Sequence, residues 1–295
     1  PSINVSKGTN FYYTWYGCES LETFPSLAFS EATSLERTWN GCSSLVAMGT
    51  PIIPKCTSLT NTWNGCTSIE SFPADFDTTT VKYFSYTWSS NSSLKTFPSI
   101  NTENALSFFN TWANCYSVDN IANGSQSTSF PLLTTDNVTS FKGAWYSNRA
   151  LTVFPLLNTS KGTDFSTTWY DCRSLQDFPA LDLSACIGTP QDGETYSGFR
   201  NSWLQCNSLS DFPPNMFDTC LATEFKNCWV GCALPSSAIE KIIVSIAKSS
   251  TDNNLSNGEL GLEGGTNAAK STWTAAANAA FDSLIAKGWT ITFTA

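Results

Sequence analysis

Apolar positions along this chain recur with a long period, neither the 3.6 of a helix nor the 2 of a strand. Trp falls at 15, 39, 63, 88, 112, 145, 169, 203 and 229, mostly 24 residues apart, and each Trp sits in the same frame. Four residues earlier stands an apolar residue: Phe11, Leu35, Leu59, Phe84, Phe108, Phe141, Phe165, Phe199 or Phe225. Three residues later stands Cys18, Cys42, Cys66, Cys115, Cys172, Cys206 or Cys232, with Asn91 and Asn148 in the two exceptions. Leu, Ile or Val follows three further on, then Phe-Pro, as at Phe24-Pro25, Phe72-Pro73, Phe97-Pro98 and Phe178-Pro179. The unit is F-x-x-x-W-x-x-C-x-S-L-x-x-F-P-x-L-(D/N)-x-S, and fixed-period self-similarity of this kind marks a repeat architecture.

The spacing assigns a task to each part. Apolar residues at offsets of four, three and three share one side of a helical turn, so a short helical turn is predicted around each Trp. The Thr before Trp (Thr14, Thr38, Thr62, Thr87, Thr111, Thr168) is expected to bond back to the preceding turn. The S-L-x-x-F stretch predicts a short parallel strand stopped by Pro, which cannot donate to a ladder. Asp or Asn, Ser, Gly and Thr then turn the chain back. The expected fold is α/β: a solenoid of about nine coils over residues 1–233, leucine-rich-repeat-like, each coil burying its apolar edge only against its neighbours.

The motifs T-W-N-G-C-T-S-I-E-S-F-P at 62–73 and T-W-Y-D-C-R-S-L-Q-D-F-P at 168–179 resemble BspA-like leucine-rich-repeat surface proteins. That family more often carries M-F in place of T-W and Leu in place of Phe-Pro; the Trp/Phe-Pro version is similar to copies in marine bacterial and bacteriophage surface proteins. The resemblance spans roughly residues 1–233. It implies an extracellular repeat array, on a bacterial cell or a virion such as a phage tail fibre, used in adhesion or host recognition. It implies no catalytic residues.

Two coils carry insertions, Asn120–Ser129 and Ile187–Ser197, which a solenoid accommodates as bulges on one face. Pro1–Phe11 matches Pro155–Phe165 in spacing, so Pro1 reads as the proline of a Phe-Pro pair and the chain as starting within a repeat. After Cys232 the frame decays into a predicted cap over 234–295. Its elements are a helix over Ser236–Ser249 with Ser as N-cap, a short strand at Leu260/Leu262, a helix over Ala268–Lys287 closed by Gly288, and a last strand over Trp289–Phe293.

Composition narrows the function. Fifteen Lys and Arg against 24 Asp and Glu give a net charge of -9, which disfavours a nucleic-acid partner. The chain contains no His, the commonest general base and catalytic-zinc ligand. Without C-x-x-C pairs, no metal site is expected, nor any cofactor. No apolar run approaches the roughly 18 residues of a membrane span.

Seven of the 11 cysteines form the column after Trp and are expected as free thiols packed in the core. Cys186 and Cys220 occupy one position in consecutive coils, roughly 5 Å apart by strand spacing, within reach of a disulfide.

In a leucine-rich repeat the residues between Leu and Phe face the concave surface. Here that strip holds Glu22, Thr23, Glu70, Ser71, Asp119, Asn120, Gln176, Asp177, Ser210 and Asp211, with Val46, Lys95 and Val153 among them. It is short-chained, hydroxylated and mildly acidic, suited to a glycan or protein on a host or neighbouring cell. Tyr16, Tyr146 and Tyr170, each following a Trp, add aromatics able to stack on sugar rings. Asp177 and Asp211 suggest the paired carboxylates of a glycosidase, but nothing in the sequence buries either one, so a non-enzymatic recognition module is preferred. The alternative is a structural spacer or decoration in a virion or envelope assembly, or a homo-oligomer.

Overall fold

A computed structural model describes residues 3–96, 100–118, 133–188 and 198–295. Pro1, Phe97-Pro98, Asp119, Asn120, the Asn120–Ser129 insertion, Phe130-Pro131 and all but the first two residues of the Ile187–Ser197 insertion lie outside them. The contacts divide the chain into two compact units, Pro1–Val138 with Ala144–Ala150, and Thr139–Gly143 with Leu151–Ala295. This division differs from the 1–233 and 234–295 boundaries read from the sequence, and the C-terminal region packs as part of the second unit.

Within each unit the frames stack. In the first, Trp15, Trp39 and Trp63 lie ring over ring, 5.5 Å apart at each step, and Trp88 and Trp112 follow at 6.1 and 6.0 Å. In the second, Trp169, Trp203 and Trp229 stack at 5.0 and 5.4 Å. The Phe of the described Phe-Pro pairs meets these indoles edge-on, as Phe24 does Trp39 at 77° and Phe178 does Trp203 at 90°. Parallel-displaced and edge-to-face contacts are the geometries the ring quadrupole favours. All the frame tryptophans except Trp15 are fully buried.

The backbone around each Trp departs from the helical turn expected. Residues two before and two after Trp have positive φ in all nine frames, from Tyr13 and Gly17 to Asn227 and Gly231. Each left-handed residue flips the peptide plane, so alternate N–H groups leave the local turn. Thr38, Asn40 and Cys42 donate to the carbonyls three residues back, whereas Arg37, Trp39 and Gly41 donate to Thr60, Thr62 and Asn64 of the next coil. A helix would use its N–H groups within itself; here half of them tie neighbouring coils. Because every one of these inter-coil bonds in the Trp segment runs from one coil's N–H to the next coil's C=O, the segment has a donor side and an acceptor side.

Side chains complete the pairing. The Thr38 hydroxyl bonds back to the Leu35 carbonyl at 2.7 Å, as expected, and also to Phe11 one coil earlier at 3.1 Å. The Cys66 thiol donates to the Trp39 carbonyl, Cys115 to Trp88, and Cys206 to Trp169, each at 3.1 Å. The turn residues act locally: Asp or Asn accepts from the backbone N–H two residues on, at Asp77–Thr79, Asn158–Ser160 and Asp182–Ser184, a form of Asx-turn. Gly162 is required by packing, since a Cβ there would lie 2.4 Å from the Phe165 ring.

Parallel strand pairing occurs where S-L-x-x-F predicts it, in short pieces. β1 (Thr23–Phe24) pairs β3 (Ala47–Met48), and Val153 bridges Asp177. Beyond the prediction, β2 (Leu27–Ala28) pairs β4 (Pro51–Ile52), so strand pairing resumes past the first proline. The cap holds α1 (Ser236–Asp252), β6 (Glu259–Leu262), a 3-10 turn (Lys270–Thr272), α2 (Ala275–Ala286) and β7 (Thr290–Phe293). β6 lies between β7 and β5 (Glu224–Phe225), all parallel. The expected Ser N-cap of α1 is instead Pro235, without a side-chain bond. The second helix starts later than predicted because Thr274 caps it, accepting from the Ala277 N–H.

Candidate functional site

The exposed strip following each Leu is set by alternation: Leu21, Leu45, Ile69, Leu175 and Leu209 face inward or lie half-buried, and the next two side chains face out. In the first unit this places Glu22, Thr23, Val46, Glu70, Ser71 and Lys95 at the surface; in the second it places Val153, Gln176, Asp177, Ser210 and Asp211 there. Backbone bonds hold the rungs in register, with Val46 N–H on the Glu22 carbonyl at 2.9 Å and Lys95 N–H on Glu70 at 3.0 Å. Gln176 N–H on Thr152 at 3.0 Å and Ser210 N–H on Gln176 at 3.4 Å do the same in the second unit.

The charges are less acidic than the sequence alone suggests. Glu70 is paired with Lys95 at 2.7 Å and Asp211 with Lys241 of α1 at 2.5 Å. The lysine hydrogen bond holds the Asp211 carboxyl below its usual range, the opposite of what a general acid needs. Glu22 and Asp177 carry no ion pair among the described residues. The strip is a hydroxylated surface with two self-neutralised acids, and Val46 and Val153, 52% and 45% exposed, give it apolar spots.

The aromatics divide differently from the sequence reading. Tyr16 is exposed, but Tyr146 and Tyr170 are half-buried. Tyr16 belongs to a cluster the repeat pattern gave no reason to single out. Tyr12 and Tyr13 meet at 4.3 Å and Tyr13 and Tyr16 at 4.8 Å, all edge-to-face. Arg37 lies over Tyr13 at 5.4 Å and donates to its hydroxyl, which pushes the guanidinium pKa further up. The signal was present as the run Phe11-Tyr12-Tyr13, where no other frame has aromatics at both offsets, though Tyr86 and Phe109 each fill one of them. A hollow of about 350 Å³ lies elsewhere in the first unit, lined by Ser26, Thr50, Ile52, Asp75 and Asp77 among others.

All 11 cysteines are free thiols, and only Cys18 is exposed. Burial pushes Cys42 and Cys56 up to about 11 and Cys115 up to about 12, so these thiols stay protonated and unreactive near neutral pH. Cys186 and Cys220 are neighbours as expected, with Cys220 Sγ directed at the Cys186 carbonyl at 3.6 Å and no bond between the sulfurs. Hydrogen bonding between the two thiols and burial raise Cys186 well above the ordinary thiol value.

Among the described residues no group of three or more Cys, Asp or Glu is placed to hold a metal ion. No described helix is long and apolar enough to cross a membrane. No family model, curated protein or solved structure matches the chain.

Proposed function

We propose that the chain is a non-enzymatic recognition or attachment module, a leucine-rich-repeat-like solenoid displayed extracellularly on a cell or virion surface. The observation that carries this reading is the strip itself: six coils each present an exposed pair, on a backbone tied between coils by hydrogen bonds and stacked indoles. Rigid, repeated surface groups favour binding because little side-chain and loop entropy is lost on association. The motif resemblance to BspA-like surface proteins supports the display setting. The partner class is a neutral glycan or a protein loop, since the remaining acids disfavour anionic polymers.

The Glu70–Lys95 and Asp211–Lys241 pairs favour a second reading, a structural spacer in a virion or envelope, because a surface that satisfies its own charges needs no partner. A glycan array and cell-adsorption assay with the full chain separate the two. Binding that falls at least tenfold in the quadruple variant Glu22→Gln, Thr23→Ala, Glu70→Gln, Ser71→Ala supports recognition by the strip. Absence of binding to any glycan or host surface supports the spacer.

A further inference from the structure

The coils of the first unit do not all continue alike after the Phe-Pro position. Successive inward side chains stand five residues apart in two coils, as Phe24 and Phe29 and as Met48 and Ile53, but four apart in the third, as Phe72 and Phe76. β2 and β4 pair across the first two of these coils and form a sheet of two strands only. The third coil turns instead at Asp77, which accepts the Thr79 N–H at 2.9 Å. The hollow of about 350 Å³ lies at this step, lined from β4 by Pro51 and Ile52 and from the third coil by Asp75 and Asp77. Its polar groups are positioned without being used up. Ser26 accepts the Thr50 N–H at 3.0 Å, and the Thr50 hydroxyl donates to Asp75 Oδ1 at 2.6 Å. Asp77 Oδ1 takes both Thr79 donors. Among the described residues Oδ2 of each aspartate accepts no hydrogen bond, neither aspartate joins an ion pair, and the Ser26 hydroxyl donates to no acceptor. Beside these groups stand Ile52, 55% exposed, and the exposed Pro54.

We infer that this hollow is a subsite for a neutral pyranose unit of a glycan. The inference rests on the recognition reading above and gives it a ligand class and a second place, since no residue lining the hollow belongs to the strip. A pyranose carries hydroxyls that both donate and accept, set against an apolar face of C–H groups. The hollow answers both features. Oδ2 of Asp75 and of Asp77 and the Thr50 oxygen accept, the Ser26 hydroxyl donates, and Ile52 with Pro54 gives the C–H face a surface. A few fixed polar groups on an apolar ground, in roughly 300–1,000 Å³, is the usual make-up of a small-ligand site. The Thr79 hydroxyl and N–H hold the Asp77 carboxyl below its usual range, so it stays an ionised acceptor. Two carboxylates side by side repel sulfated and uronic sugars. A lysine or arginine side chain would meet the carboxylates, but it has no acceptor for the Ser26 proton.

The test titrates the full chain with the methyl pyranosides of glucose, galactose and mannose, both anomers of each, followed by saturation-transfer NMR. Methyl glucuronide and Nα-acetyl-lysine methylamide are run beside them. The expected result is saturable binding of at least one neutral hexoside, none of the glucuronide, and a Kd at least tenfold higher in the double variant Asp75→Asn, Asp77→Asn. Asn is the turn residue at Asn101 and Asn158, so this variant keeps its turn, and near-UV circular dichroism of the stacked indoles checks the fold. Ile52→Asp, at an exposed position, should weaken the same hexoside as much by charging the apolar surface. The strip variant Glu22→Gln, Thr23→Ala, Glu70→Gln, Ser71→Ala should bind it as the parent does. Hexoside affinity unchanged in both hollow variants overturns the inference, as does tighter binding of the lysine derivative than of every hexoside. Absence of hexoside binding also overturns it, and cell adsorption then judges the recognition reading separately: adsorption that the strip variant loses leaves that reading standing, and no adsorption removes both.

Discussion

Asn148 donates from its side-chain amide to the Trp112 carbonyl at 2.8 Å, in the place where most other frames use a thiol. Cys42 makes the equivalent bond to Trp15 at 3.0 Å and Cys232 to Trp203 at 3.2 Å. In the cap, Asn267 does the same for Trp229 at 2.9 Å. The Trp carbonyl already accepts the backbone N–H three residues on, so the column adds a second buried donor, and Cys and Asn are two ways of supplying it. Asn91 departs from this, its amide finding no partner among the described residues.

Replacing Asn148 by Ala should then cost about 0.5–1.5 kcal/mol, since the Trp112 carbonyl keeps the Cys115 N–H but loses its second, buried donor. Asn148→Cys should recover most of that loss by restoring the thiol of the other frames. Urea denaturation midpoints of the two variants decide the matter; equal losses would mean that the carbonyl does not depend on the donor.

The buried thiols make stability sensitive to alkali. Burial raises the folded-state pKa of Cys42 and Cys56 to about 11 and of Cys115 to about 12, against about 8.5 unfolded. A thiol whose folded pKa is raised contributes stability that is fully present below pH 8.5. Above it the unfolded chain loses protons first, and the contribution falls until the folded pKa is passed. Each such cysteine subtracts about 1.4 kcal/mol per pH unit in that window. The thermal midpoint should accordingly fall steeply between about pH 9 and 11, more steeply than in a Cys66→Ala, Cys115→Ala double variant once each is referred to its own value at pH 7.

The repeat, its inward Trp and Cys columns and most cap elements were legible because burial writes a period into the sequence. The conformation around Trp was not, because offsets of four, three and three fit a helical turn as well as this one. The distinguishing signal lay in the polar positions. Asn61, Asn110, Asn201 and Asn227 stand two before Trp, and Gly17, Gly41, Gly65 and Gly231 two after, all at positive φ. Gly and Asn are the residues that tolerate that region. The charge state of the strip was hidden for a different reason: Lys241 reaches Asp211 from a helix 30 residues downstream, a contact no local pattern encodes.

Trp63 tests the aromatic core. Its ring stacks on Trp39 at 5.5 Å and meets Phe72 and Phe76 edge-on at 5.2 and 5.6 Å. Trp63→Ala should cost roughly 3–5 kcal/mol. The indole N–H finds no acceptor among the described residues, and an unpaired buried donor is itself unfavourable. Trp63→Phe should therefore lose well under half of the Ala cost, since it keeps a stacking ring and removes the orphan. A Phe variant as unstable as the Ala variant, by urea denaturation, would show that the N–H is stabilised by the stack.

Thr167 offers the opposite sign. It holds φ of 56° two residues before Trp169, where most other frames place Asn, Gly or an unbranched side chain, and a β-branched residue in the left-handed region is strained. Among the described residues its hydroxyl bonds only to the adjacent Ser166 carbonyl, at 2.7 Å, a contact that ties it to no other coil. The backbone around it cannot relax, because the Thr167 N–H is fixed to Arg200 of the next coil at 2.9 Å. Thr167→Asn keeps the positive φ, releases the β-branch and follows the residue type used at Asn61, Asn201 and Asn227. It should raise stability by about 1 kcal/mol. Thr167→Gly should gain less, since the added freedom of glycine in the unfolded chain offsets part of the relieved strain. The ranking Asn above Gly above Thr in thermal midpoint is the outcome expected, and a Thr167→Asn midpoint below the parent would refute the strain.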